Sequence, residues 1–251
     1  MISHRAEGYR KEGGKIKRGR LIGQYLHSRA DDAILSTSQD YAKFIIALQE
    51  RKIVKDLDAY WTAPVSLKGL PLDYSYGWSS DTLLGHRRQQ HSGGYRTGFH
   101  TFVARYPDDD LSVVVFTNCD FSNVRDYVNL ISRKFLRIPD PEAESRQSDP
   151  KPEQTAGLTQ TFELIKSGKV DPEKVVPNAL EPFGIEDFRE FFSRSGAAHY
   201  AGAKVLKSPL HFHGIDLVAY ETLKIGIGTN NFYLTFYLDR DGRVGYIEPT
   251  N

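Results

Sequence analysis

The sequence predicts a chain of α/β and α+β class: an antiparallel sheet with flanking helices, then a small α+β domain built on a curved antiparallel sheet. Three observations predict it. Strand-like and helix-like periodicities alternate over the first 138 residues, a polar proline-containing stretch follows, and beyond it two short helical patterns precede a run of alternating strands. The first domain is accordingly placed at 1–138, a linker at 139–157 and the second domain at 158–251.

Thr37-Ser38-Gln39-Asp40 reads as a capping box ahead of Tyr41, Phe44, Ile45 and Leu48, whose spacing builds one apolar helical face, so a helix is expected at 38–50. Strands are expected at 76–81, 86–92, 98–106 and 111–117, with Pro107-Asp108-Asp109-Asp110 as the turn joining the last two. Ser122 or Asn123 caps a second helix in which Val124, Tyr127, Val128, Ile131 and Phe135 share an apolar face against the sheet. Pro139 to Gly157 is rich in Pro, Glu, Ser, Gln, Asp and Lys, the composition of a linker with little to bury. Helices near 158–167 and 185–194 and strands at 199–207, 211–221, 223–228, 231–238 and 243–248 complete the second domain. Phe232, Leu234, Phe236 and Leu238 alternate with Tyr233, Thr235 and Tyr237, which predicts an apolar face backed by a wet aromatic-polar one.

Charge and composition exclude several classes of function. With 33 basic against 32 acidic residues the formal charge is +1, so no net field recommends nucleic acid or an anionic membrane as partner. Cys119 is the single cysteine, which excludes an internal disulfide and multi-cysteine metal sites. The first twenty residues are basic without the apolar core of a secretory signal, and no stretch is long and apolar enough for a membrane span. His211 and His213 share a strand face, and a metal there would need at least one more ligand, with Asp216 and His199 as candidates; no metal site and no cofactor is assigned. Gly226-Ile227-Gly228 opens no helix and is no dinucleotide fingerprint.

The chemistry-bearing stretch is Tyr76-Gly77-Trp78, Gln90-His91-Ser92-Gly93-Gly94, Gly98-Phe99 and the strand ending in Thr117-Asn118, preceded by Arg5-Ala6-Glu7-Gly8-Tyr9 and by Leu35-Ser36-Thr37-Ser38-Gln39-Asp40-Tyr41-Ala42-Lys43-Phe44. These six ordered fragments, over residues 4–136, resemble the class C β-lactamase and D-Ala-D-Ala-peptidase-like, penicillin-binding-protein-related serine hydrolases, and the stretch reads as the C-terminal part of such a domain, a partial β-lactamase-like sheet. The resemblance implies hydrolysis of an ester, amide or β-lactam through an acyl-enzyme, in a family often periplasmic or secreted. It makes the Gly94 amide one of two oxyanion donors, each worth roughly 2.7–4 kcal/mol of transition-state stabilisation. His91 stands where the family often has lysine and would orient a substrate carboxylate or join the proton relay. Ser92 would bind the same carboxylate, and Gly93 with Gly94 would admit the acyl group against main chain.

The family's Ser-x-x-Lys has one formal match, Ser148-Asp149-Pro150-Lys151, in the polar stretch after the strand and interrupted by proline. Its Tyr-x-Asn has one echo, Tyr127-Val128-Asn129, where core packing explains the tyrosine better. Ser92 cannot replace the nucleophile with His91 as base, because adjacent strand side chains point to opposite faces. Asp31-Asp32 stands where the family commonly has Gly-Gly. The expectation is therefore a chain inactive alone, whose partners are a small acyl, peptide or β-lactam substrate when complete, a missing N-terminal half carrying the nucleophile, and further copies of itself through uncovered apolar faces. The competing reading is a non-catalytic binding or scaffold protein in which 158–251, loosely similar to nuclear-transport-factor-like cones, holds a ligand.

Overall fold

The computed structural model describes residues 5–19, 34–57, 72–95, 97–180, 184–212 and 214–250. These divide into two compact units, one of residues 5–19, 34–57, 72–81, 87–95 and 97–137, the other of 82–86 and 138–250 without 181–183 and 213.

The first unit opens with a hairpin, β1 (Tyr9–Glu12) and β2 (Lys15–Arg18), which the polar sequence did not announce. Helix α1 (Ser38–Gln49) starts where its cap predicts: the Thr37 hydroxyl accepts from the Asp40 amide at 3.1 Å. The strands β3 (Tyr74–Ser75), β4 (Trp78–Leu83), β5 (His86–Tyr95), β6 (Phe99–Tyr106) and β7 (Leu111–Thr117) form a sheet in sequence order, followed by α2 (Val124–Leu136). Ile45 of α1 packs with Trp78 and Val103, joined by Tyr41, Val114 and Phe116. Alternation then turns Phe102 to the opposite face, where the Arg125 guanidinium of α2 lies 5.3 Å from its ring.

One helix is rotated from its expected orientation. Val124, Val128 and Ser132 form the buried line of α2, whereas Tyr127, Leu130, Ile131 and Phe135 are exposed, Leu130 and Phe135 at 70%. Positions 124, 128 and 132 follow i, i+4, i+8, and Tyr127 and Ile131 sit about a quarter-turn away from that line, so they miss the sheet.

In the second unit α3 (Pro141–Glu144) and α4 (Pro152–Lys166) occupy the stretch read as a linker, and α5 (Ile185–Phe192) precedes four strands: β8 (Ala198–Phe212), β9 (Ile215–Ile227), β10 (Asn230–Leu238) and β11 (Val244–Pro249). Their order is β11-β10-β9-β8, an open antiparallel meander. Five strands were expected here; β9 runs on through Thr222, joining two of them, and β8, an edge strand, extends past Pro209 with its pairing to β9 shifting register between Val205 and Leu210.

The expected curved sheet is corrected: no sheet is closed or strongly curled. Bulges are what bend strands, and the central β9–β10 pairing runs from Asn230↔Ile227 to Leu238↔Ala219 without one; the register shifts lie only in the outer pairings. The wet face is corrected as well. Phe162, Phe188, Leu223 and Phe236 fill one core, while Thr235 and Tyr237 on the other face are fully buried, Tyr237 against Tyr220 and Tyr246. The Tyr237 hydroxyl donates to Glu248 Oε2 at 2.5 Å and accepts from Thr82 Oγ1 at 2.9 Å and from the Gly85 amide at 2.8 Å, which satisfies a polar group that burial would otherwise penalise.

Candidate functional site

The predicted site residues lie together on the C-terminal half of β5. Across the ladder His91 faces Val103, Ser92 faces Phe102, Gly93 faces Thr101 and Gly94 faces His100. His91 and Gly93 therefore share the α1 face and Ser92 the other, so the His91 and Ser92 side chains point apart. Both are exposed, and the His91 ring lies 6.3 Å from that of Tyr74 on β3.

Backbone approach explains the glycines. A Cβ on Gly94 would stand 2.9 Å from the Phe99 carbonyl oxygen and 3.1 Å from His100 Cδ2, and one on Gly93 would stand 2.6 Å from Thr101 Oγ1. Both places are already taken. The motif glycines upstream and downstream meet one another in the same way: a Cβ on Gly98 would lie 2.5 Å from the Tyr9 nitrogen, whose N–H is shared between the Gly98 carbonyl at 3.0 Å and the Asn118 carbonyl at 2.8 Å. The Thr117 hydroxyl donates to the His100 carbonyl at 2.9 Å and the Asn118 amide to the Glu7 carbonyl at 3.1 Å. Ala-x-Gly-Tyr, Gly-Phe and Thr-Asn are thus one backbone junction at the end of the sheet.

The remaining candidates separate from it. Lys151 is the N-cap of α4 and its amide is bonded to Asp149, so Ser148 to Lys151 is a turn into a helix of the second unit. Tyr127 is half exposed instead of packed in the core, and Asn129 accepts from Arg88 Nη1 at 2.8 Å. His211 pairs with Asp216 at 3.0 Å, and among the described residues no group of three or more His, Cys, Asp or Glu could hold a metal. Asp31-Asp32 and His213 lie outside the described residues. Among the described residues no helix is long and apolar enough to cross a membrane.

Sequence reasoning missed the supports behind the strand. Thr101 Oγ1 donates to the Gly93 carbonyl at 3.2 Å, and His100 Nδ1–H to the Ser122 carbonyl at 2.7 Å. Deeper in the sheet, Arg105 donates to Gln89 at 2.6 Å and to Gln49 at 3.2 Å, and burial pulls its guanidinium below the ordinary value. Burial pushes the Tyr106 phenol up. The only sequence signal for Thr101 and His100 was the register of the β5–β6 hairpin, which depends on its turn.

Residues 3–135 match the family model described as Beta-lactamase, and the chain belongs to that family. The matched region is the N-terminal part of this chain, which corrects its reading as the C-terminal part of a serine hydrolase: motif order along a chain does not locate the boundaries of the family domain. No curated protein matches. Among solved structures, the octameric penicillin-binding protein homologue from Pyrococcus abyssi is similar at 15% identity and a TM-score of 0.42, over 94% of this chain and 50% of that one. The chain spans about half the length of that protein.

Proposed function

We propose that the C-terminal half of β5 is one wall of an acyl-transfer site for an ester, amide or β-lactam, with the Gly94 N–H as an oxyanion donor, Ser92 as a group for the substrate carboxylate, His91 on the other face of the strand as a member of the proton relay, and the Gly93–Gly94 main chain as the edge along which the acyl group lies. The observation that carries this is a pair of glycines whose backbone is pinned from behind, beside two exposed polar side chains, in a chain of the beta-lactamase family. The sequence 3–135 contains no Ser-x-x-Lys, so this chain by itself forms no acyl-enzyme. Incubating the purified chain with a chromogenic cephalosporin, a p-nitrophenyl ester and a fluorescent penicillin is expected to give neither turnover nor covalent label; stoichiometric labelling overturns the inactivity. In this reading residues 1–138 are the hydrolase-family domain, 139–157 the connecting segment and 158–251 a separate module.

A second reading, a binding protein on a hydrolase-family scaffold, is favoured by one observation. An open groove of about 790 Å³ in the second unit is lined by Asp149, Thr155, Gln160, Glu163, His199 and Tyr200. Thermal shift of the whole chain against peptidoglycan fragments, acyl compounds and lipids tests it, and no stabilisation by any of them counts against it.

A further inference from the structure

The Gly93 carbonyl and the Gly94 N–H are the two ends of one planar peptide unit, so whatever fixes the first orients the second. Thr101, directly across the ladder, donates its hydroxyl to that carbonyl, and the hydroxyl occupies the space a side chain at 93 would need. On the opposite face the His100 ring closes the space behind Gly94 and is held in turn by the Ser122 carbonyl. The peptide unit is thus braced from both faces of the sheet, and the Thr101 hydroxyl adds a side-chain hydrogen bond to it.

We infer that Thr101 is a positioning residue for the Gly94 amide: its hydroxyl anchors the Gly93 carbonyl and so sets the direction in which the Gly94 N–H points. The same bond draws electron density toward the carbonyl oxygen and strengthens the N–H as a donor. Glycine is needed at 93 to make room for the hydroxyl. This inference rests on the reading of β5 as an acyl-transfer wall, and its consequence is that donor strength at this wall is controlled from the neighbouring strand.

The test uses the whole isotope-labelled chain, reading the Gly93 carbonyl carbon and the Gly94 amide by NMR, with acetate as an oxyanion probe. Thr101→Val, nearly isosteric but without the hydroxyl, is expected to move both resonances and to weaken the acetate response of the Gly94 amide about fivefold, as for loss of one ordinary hydrogen bond. Thr101→Ser keeps the hydroxyl and is expected to retain the wild-type positions; Gly93→Ala, which displaces the hydroxyl, is expected to resemble Thr101→Val. Unchanged Gly94 resonances in folded Thr101→Val, or a Thr101→Ser spectrum like that of Thr101→Val, overturn the anchor. If the resonances move as expected but wild-type Gly94 ignores acetate, the anchor stands and the acyl-transfer wall fails. An equal acetate response in wild type and Thr101→Val leaves the wall and sinks the anchor.

Discussion

Asp81 and Arg88 grip each other at two points across the β4–β5 hairpin, Nε to Oδ1 at 2.8 Å and Nη2 to Oδ2 at 2.7 Å, with the arginine side chain 6% exposed. Gln90 donates to the same carboxylate, and Arg88 reaches Asn129 on α2. The pair joins the strand that carries His91 to the helix behind it.

Removing one side of such a pair is more costly than removing both. Asp81→Ala is expected to destabilise by about 3–5 kcal/mol, because the guanidinium stays buried while its carboxylate is gone. The double variant Asp81→Ala/Arg88→Met is expected to cost clearly less than the sum of the two single changes. Urea unfolding midpoints of the four proteins decide it, and strict additivity argues against the coupling.

Gly98→Ala isolates the junction of Gly8-Tyr9 with the sheet. At a φ of 80° and with Tyr9 N only 2.5 Å from the new methyl, it is expected to cost about 3 kcal/mol. Gly13 has a φ of 57° but open space around it, so Gly13→Ala is expected to cost about 1 kcal/mol from the backbone alone. Equal losses in thermal melts would show that the close approach contributes nothing.

Glu221 makes stability pH-dependent. It is 1% exposed, accepts from Gln154 at 2.8 Å, and burial raises its carboxyl above the ordinary 4.5. A raised folded value means that the native state holds the proton more tightly than the unfolded chain does. Its contribution is therefore complete below the unfolded value and is lost as pH rises through the folded one. Glu221→Gln is expected to flatten that decline and to raise the melting temperature at pH 7 relative to wild type. A parallel pH profile in the two proteins would refute it.

The exposed line Tyr127, Leu130, Ile131 and Phe135 on α2 is an apolar stripe of contiguous i, i+3 and i+4 neighbours. Concentration-dependent self-association is expected, and Leu130→Glu with Phe135→Glu is expected to suppress it while leaving the melting temperature nearly unchanged, since neither side chain is in the core. Sedimentation of wild type as a monomer at high concentration would contradict this.

Where an element depends on its own residues, the sequence announced it well. Thr37 capped α1 at the expected position, and the Val113–Phe116 run lay in a strand over Leu111–Thr117. The β1–β2 hairpin escaped notice because Tyr-Arg-Lys-Glu and Lys-Ile-Lys-Arg show no apolar alternation; its position is fixed by Tyr9 bonding to Gly98 and Asn118, far away in the chain. Tyr127 was misplaced because a helical periodicity shows which residues share a face and not how the helix is turned on its sheet. The stretch 139–157 has a linker's composition, yet Lys224 Nζ donates to Glu142 at 2.8 Å and the Tyr233 hydroxyl bonds to the same carboxylate, anchoring α3 by polar contacts that apolar patterning does not register.

The sequence by itself determined α1, the strands from β4 to β7 with the His91 to Gly94 motif, and the family likeness of the first half, because these follow from local spacing and residue identity. Only the tertiary structure decided that Thr101 and His100 brace the Gly93–Gly94 peptide, that α2 leaves an apolar stripe outward, and that the second sheet stays open. Each of those depends on register and rotation between segments distant in the chain, quantities set by packing that no local pattern contains.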